Sequence, residues 1–411
     1  MAFYLMDDGS SLQSVLSTIE EAQIAVSGSN CTIGLFNNTR FNANNVSVLV
    51  ENSTIINNCT VEQCIFESKD VFTIAVPANL IRPYLGRRPE TALRFKNCVG
   101  QFIGRPLNYA NVSALNYRNY FRDMNMAIDI SNTTIEIYNN DFTNIFRHDI
   151  MYPPSYAINA LKSNVIKGIT VGDFNVPPQN DNGQQLWENI FYNCDNGINI
   201  NGSAVATIVN NKMNRIRAQP GSTGTSTGTA INLFDANYST YDIHNNFITN
   251  FGTGIWGSLL SYANIDIHNN NFNIGSLVTA QAFAAIRFAN PVNALAIFTP
   301  TQFIYDNSIR RVTRGIVTTN WDDISITDNS INLTNSDIVA NPGTFYIGIN
   351  ANKCQNLNIA RNYIYKDGPN PTSAIDDQVL GINGQNITTS TITSNLLSRM
   401  AAPSASLTHN K

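Results

Sequence analysis

Alternation is the first pattern in the chain. In TTIEIYNN (133–140), Ile135 and Ile137 alternate with Glu136 and Tyr138; in DDISITDN (322–329), Ile324 and Ile326 alternate with polar neighbours. A period of two predicts half-buried strands rather than helices. The strands close on a recurring hexapeptide, apolar-x-polar-Asn-x-apolar. It reads IYNNDF (137–142), LWENIF (186–191), IVNNKM (208–213), IHNNFI (243–248), IHNNNF (267–272), IYDNSI (304–309), ITDNSI (326–331), IARNYI (359–364) and ITSNLL (392–397). Looser copies centre on Asn97 and Asn119.

A second landmark is a small residue followed by Ile: AIDI (127–130), AINA (157–160), GINI (197–200), AINL (230–233), GIWG (254–257), AIRF (285–288), GIVT (315–318), GINA (348–351) and GING (381–384). In the shortest copies it starts eight residues after the Asn, and the shortest Asn-to-Asn spacings are 21 to 24 residues. One unit is therefore strand, Asn corner, short strand, turn, strand. That is too long for one hairpin strand and too short for a βαβ unit. A unit that cannot bury its apolar side alone does so by stacking on copies of itself. The pattern predicts an all-β, right-handed parallel β-helix of roughly a dozen coils, about 4.8 Å apart. Asn would hold the corner as a left-handed or bridging residue, and its amides would hydrogen-bond from coil to coil.

The first residues break this pattern. In SSLQSVLSTIEEAQ (10–23), Leu12, Val15, Leu16 and Ile19 share one helical face, and Ser10 with Gln13 fits a capping box. Residues 1–30 are expected to form a lead-in with a short helix covering the end of the stack, and residues 31–411 the β-helix. Loop insertions are expected near 144–156, 167–184, 214–229, 273–284, 332–346 and 365–380. Five of them leave from one corner of the coil. Long loops on a rigid scaffold are where function concentrates.

Composition narrows the partners. Charged residues are 13% of the chain and the net charge is −4. No basic face is available to neutralise phosphates, which argues against nucleic acid. Polarity comes instead from Asn, roughly 60 of the 411 residues, a residue suited to turns. Apolar runs are too short for a membrane span. The N-terminus shows no basic-then-apolar leader. Low Lys and Glu with high Asn and Thr favour a secreted or cell-surface protein whose leader has been removed. The six cysteines, at 31, 59, 64, 98, 194 and 354, include no CxxC pair. Disulfides among the first four are one reading, and buried small hydrophobes the favoured one.

Over residues 31–400 the Asn hexapeptide and the small-Ile landmark resemble right-handed parallel β-helix repeat proteins, the pectate-lyase-like superfold. Some members of that group are polysaccharide lyases, polygalacturonase-like hydrolases or pectin esterases. Others are large bacterial surface or adhesin-like proteins, often exported by the type IX route, and STIINNCTVEQC (53–64) resembles these. The hydrolase pattern of paired Asp with Gly-His-Gly is not met: there is no GHG, and Asp322 and Asp323 have no His in register. The clustered acids and catalytic Arg of calcium-dependent lyases are not visible either. The resemblance implies a non-catalytic protein of structural, adhesive or glycan-binding role. The alternative is a divergent polysaccharide lyase or glycoside hydrolase acting on an extracellular polysaccharide. Partners would be polysaccharides or other surface proteins.

Candidate chemistry follows from columns, since equivalent residues of successive coils lie about 5 Å apart. DIHNN occurs twice, giving Asp242 and His244, then Asp266 and His268, all outward if Ile243 and Ile267 point inward. The four could hold a divalent transition metal or do acid–base catalysis; the plainer account is a solvated charged ladder. No other cofactor is implied. A second outward column places Trp256 beside Arg287, with Phe234 one coil earlier. An exposed aromatic beside Arg suits a sugar and its carboxylate or hydroxyl groups; the plainer account is packing under loops. His148 in FRHDIMY reads as a solvated loop His. GSTGTSTG (221–228) lacks the ending and following helix of a phosphate loop.

Overall fold

A computed structural model describes residues 3–6, 14–15, 18–20, 22–30, 36–53, 61–68, 89–104, 118–147, 153–161, 167–173, 188–202, 204–217, 228–234, 238–258, 260, 263–274, 284–290, 302–333, 346–366, 379–398, 400 and 405–409. Every regular element among them is a strand. The strands form three sheets, of fourteen, thirteen and thirteen strands, and within each sheet the neighbours are the third element on in sequence. Pairing is parallel at each step, as between Thr229–Phe234 and Thr253–Ser258 in the first sheet or Thr240–His244 and Asn264–His268 in the second. A chain that visits three sheets in turn and returns to the first one rung higher is a coil. Its sense is the right-handed one that twisted strands favour. The protein is a right-handed parallel β-helix.

The landmark Ile residues form one interior column of the first sheet. Ile128, Ile158, Ile198, Ile231, Ile255, Ile286, Ile316, Ile349 and Ile382 are each at most 1% exposed. The small residue before each Ile sits where backbone and interior converge. A Cβ on Gly254 would lie 2.3 Å from the Ala285 carbonyl oxygen and 2.7 Å from the Phe272 ring. In the third sheet, Phe41, Phe66, Phe121, Phe142 and Phe191 stack with centroids 4.8 to 5.1 Å apart. That is the coil rise itself, so each ring packs on its own counterpart.

The Asn column is continuous from Asn119 to Asn395. Each side-chain Nδ2 donates to the Oδ1 of the next Asn at 2.9 to 3.1 Å. The same Oδ1 also accepts a backbone N–H from the preceding rung, as Asn246 does from Asn211 at 3.1 Å. Nδ2 reaches backbone carbonyls too, as from Asn246 to Ile208 and His244. Three roles of the amide are thus satisfied without water.

The corner residue and the ladder residue are different. The left-handed position is the one before the ladder Asn: Asn139, Asn210, Asn245, Asn269, Asp306, Asp328, Arg361 and Ser394, with φ between 52° and 58°. The ladder Asn opens the third-sheet strand, as in Asn140–Ile145. Asn97 does not belong to this column. It lies in a separate surface ladder, accepting from Asn132 and donating to Asn52, both at 2.9 Å, where the first sheet gives way to the second. In the rungs before Asn119, Cys64 and Thr39 take the ladder position, preceding strands Ile65–Glu67 and Arg40–Asn42.

The expected helix over 10–23 is not seen where the chain is described. Ser14–Val15 and Thr18–Glu20 are strands, paired with Phe36–Asn37 and Arg40–Asn42. The coil already begins there: Ile19 lies on the interior column of Phe41, so sheet pairing overrides a helical periodicity that is also compatible with stacking. Residues 10–13, 16, 17 and 21 of that stretch lie outside the described residues. So do most of the expected insertions and His148; the exception within 167–184 is Lys167–Val171, a regular strand of the second sheet. Cys64, Cys98, Cys194 and Cys354 are buried and free of disulfides. Burial pushes the Cys64 thiol up to about 12. Cys31 and Cys59 lie outside the described residues. Among the described residues no helix is long and apolar enough to cross a membrane.

Candidate functional site

Two outward columns carry chemistry. In the second sheet, Asp242 pairs with Asp266, Ile243 with Ile267 and His244 with His268. Both Ile residues are fully buried, so the flanking Asp and His project outward, as alternation requires. The imidazoles of His244 and His268 stack at 4.8 Å and 7°. Asp242 serves both: its carboxylate lies 3.7 Å from His244 Nε2 and 3.5 Å from His268 Nε2.

The column extends one rung further than the repeated DIHNN suggests. Phe303 and Tyr305 pair with Asp266 and His268, and the Tyr305 ring stacks on His268 at 4.9 Å and 11°. The signal was in the sequence: FIYDN (303–307), written beneath DIHNN, puts Phe in the Asp place and Tyr in the His place. Asn269 is a further neighbour. Its amide nitrogen lies 2.9 Å from His268 Nδ1, an arrangement that leaves the ring proton on Nε2, facing Asp242.

Electrostatics divide the two carboxyls. The Asp242 carboxyl is held below its ordinary range, first by its hydrogen bond with His268 and then by the charge of both His. Asp266 is raised, chiefly by loss of solvent, with Asp242 adding repulsion and a hydrogen bond from Tyr305 opposing. His244 is lowered although Asp242 stands beside it, because burial of its ring outweighs the carboxylate. Donor atoms of Asp242, His244 and His268 all lie within 4.8 Å of one another. These three of the four expected residues converge; the Asp266 carboxyl stands beside the group.

The first sheet carries the other column, with Asp129, Asn159, Asn199, Asn232, Trp256, Arg287, Val317, Asn350 and Asn383 in successive register. Its lower rungs bind each other. Arg94 Nε donates to Asp129 at 3.0 Å, and Asn159, Asn199 and Asn232 each donate to the rung before at 2.9, 2.8 and 2.6 Å. Asn350 and Asn383 resume the pattern at 2.8 Å. Trp256, Arg287 and Val317 interrupt it. The Arg287 guanidinium lies over the indole, 5.3 Å from its centroid. The indole Nε1 is buried with no acceptor among the described residues. Asn159, Asn199 and Val317 are each 5% exposed, whereas Asn232, Trp256 and Arg287 are half-buried. Asp129, Asn350 and Asn383 are half-buried as well, so the interruption at Trp256 and Arg287 falls on half-buried rungs, as four of the ladder's own do. Phe234, two residues beyond Asn232 and on the same face, is also half-buried and pairs with Ser258, so it is a diagonal neighbour of Trp256.

No family model and no curated protein matches the chain. Among solved structures it is similar to the Dettilon tailspike protein, at 10% identity and a TM-score of 0.37, over 96% of this chain and 61% of that one. It is similar as well to a mannuronic acid specific polysaccharide family 6 lyase from human gut microbiota, at 10% identity and a TM-score of 0.28, over 96% of this chain and 77% of that one. The chain thus spans less than two thirds of the tailspike's length. At these scores neither likeness bears on activity.

Proposed function

We propose that this chain is a non-catalytic secreted or cell-surface β-helix protein of structural and adhesive role, and that it binds a glycan through Phe234, Trp256 and Arg287. One observation carries the reading. An outward amide ladder that satisfies itself rung by rung is replaced, at two half-buried rungs, by an aromatic and a guanidinium in contact with each other. A purely structural rod has no need of that change, since Asn at those rungs would continue the ladder. With Arg287 over one indole face, the pair offers a donor fork of fixed orientation beside apolar surface. Such a fork suits a sugar carboxylate or a pair of hydroxyls. Acidic polysaccharides are accordingly the favoured ligands.

A second reading is supported by a different observation. Asp242 and Asp266 stand on adjacent rungs and are displaced in opposite directions, the division of labour that acid–base catalysis uses. On that reading the chain is a polysaccharide lyase or glycoside hydrolase, with Asp266 as the acid.

One incubation separates the two. The protein is mixed with a panel of neutral and acidic polysaccharides, binding is followed by calorimetry and soluble products by mass spectrometry. Saturable binding without products, weakened in Trp256→Ala and Arg287→Ala, is the expected result. Oligosaccharide products, lost in Asp266→Asn, would replace the first reading with the second. Neither binding nor products would remove both.

A further inference from the structure

We infer that Asp242, His244 and His268 form a binding site for a divalent transition ion of the zinc type, one that joins two consecutive coils. The inference is independent of the glycan reading, since it concerns another sheet and other residues.

The donor set and its spacing carry it. Two imidazole nitrogens and a carboxylate are ligands that Zn(II) and its neighbours favour. Metal–ligand bonds of about 2.0 to 2.1 Å in a tetrahedral shell set the donor atoms about 3.4 Å apart. The Asp242 carboxylate is already 3.5 Å and 3.7 Å from the two Nε2 atoms. The two His nitrogens lie within 4.8 Å of one another, and stacked rings on adjacent strands close that gap by fanning at their outer edges. The fourth position faces outward, where water completes the shell.

The surroundings suit a ligand set better than a chance surface cluster. The side chains of His244 and His268 are 12% and 19% exposed, each held in a column of rings that ends on Tyr305. Their orientation is therefore set before an ion arrives, which reduces the ordering cost of binding. Asn269 stands 2.9 Å from His268 Nδ1. A half-turn of its amide presents Oδ1 to that nitrogen, and an acceptor there is what a metal-bound imidazole requires. Binding at Nε2 requires the other tautomer of the neutral His268 ring: the proton moves through solvent from Nε2 to Nδ1, which then donates to Asn269 Oδ1.

Two residues of the site belong to strand Thr240–His244 and one to Asn264–His268. A bound ion would thus cross-link successive rungs and stabilise the coil by mass action.

The test uses the full chain, stripped with a chelator and titrated with zinc chloride alone in a calorimeter. Two variants accompany it. Asp242→Asn keeps shape at a side chain that is 40% exposed, and His268→Tyr copies the next rung, so that ring stacking survives. Melting curves without metal establish that both variants fold. The expected result is one saturable site per chain, at least tenfold weaker in each variant. Zinc should raise the melting temperature of the parent protein only. Cobalt(II) should give the visible absorption of a low-coordinate site. No saturable binding, or binding of unchanged affinity in either folded variant, would overturn the assignment.

Discussion

The protein contains two long Asn columns, and they differ in what encloses them. The inner column runs unbroken from Asn119 to Asn395, and Asn246 within it binds two neighbouring amides, a backbone N–H and two carbonyls. The outer column uses the same amide-to-amide bond, from Asn232 to Asn199 to Asn159. Yet it admits Trp256, Arg287 and Val317 and then resumes. The difference is desolvation. An inner rung replaced by another residue would strand backbone groups that water cannot reach. On the outer face water can supply part of what an amide gives, so the rungs are free to carry something else. Identical spacing thus produces a column that stays Asn over ten successive rungs, from Asn119 to Asn395, and one that admits other residues within its run.

The largest effect should come from breaking the inner column. Asn246→Ala removes the acceptor for Asn211 Nδ2 and for the Asn211 backbone N–H, and the donor for Asn270 Oδ1. At about 1 to 3 kcal/mol per stranded buried group, with some bonds re-formed elsewhere, the loss should be about 3 kcal/mol. Denaturant unfolding measures it. A loss no greater than that of an outer rung would contradict the account of the two columns.

The next effect separates function from structure at the interruption. Trp256→Asn restores the outer ladder's residue type, with Asn232 below it as a ready amide partner. Stability should change by less than about 1 kcal/mol. Under the proposed glycan-binding role, affinity for acidic polysaccharide should fall at least tenfold, roughly 1.4 kcal/mol. A large stability loss with unchanged affinity would make Trp256 a packing residue.

How far these columns could be read in the chain differs by column. Asn140, Asn189 and Asn246 announce themselves because the interior forces the same residue into the same hexapeptide. The landmark Ile residues do so for the same reason. The His pair was legible because DIHNN happens to repeat. Its third ring was not, since Tyr305 shares only shape with His268. Asn97 was misassigned because a surface turn also selects Asn, for a left-handed backbone and for a separate ladder with Asn52 and Asn132. In the N-terminal stretch, Val15 and Ile19 fit a helical stripe as well as a coil. Only pairing with Phe36–Asn37 and Arg40–Asn42 decides between the two.

A milder prediction concerns an intact outer rung. Asn232→Ala deletes the 2.6 Å donation to Asn199 Oδ1. Asn232 is half-buried and Asn199 is 5% exposed, so one acceptor is left partly dry. The cost should be about 1 kcal/mol, a third of that at Asn246. Equal losses at the two positions would mean that the outer face is as dry as the inner one.

The smallest effect belongs to the exposed corner that precedes the inner column. Asp328 and Arg361 both have left-handed backbones, and their side chains pair at 2.6 and 2.7 Å across one rung. The Arg361 hydrogen bond and charge hold the Asp328 carboxyl below its ordinary value. A carboxyl depressed in the folded state contributes above the unfolded pKa, about 4, and its contribution is lost as pH falls through the folded value. Asp328→Asn should therefore lower the melting temperature slightly at pH 7 and not at all in strong acid. Water surrounds both groups, so the neutral-pH change should be the least of the four. Salt should shrink it further. A pH-independent change would contradict the ion-pair account, since Asn tolerates the left-handed corner as readily as Asp and only the carboxylate titrates.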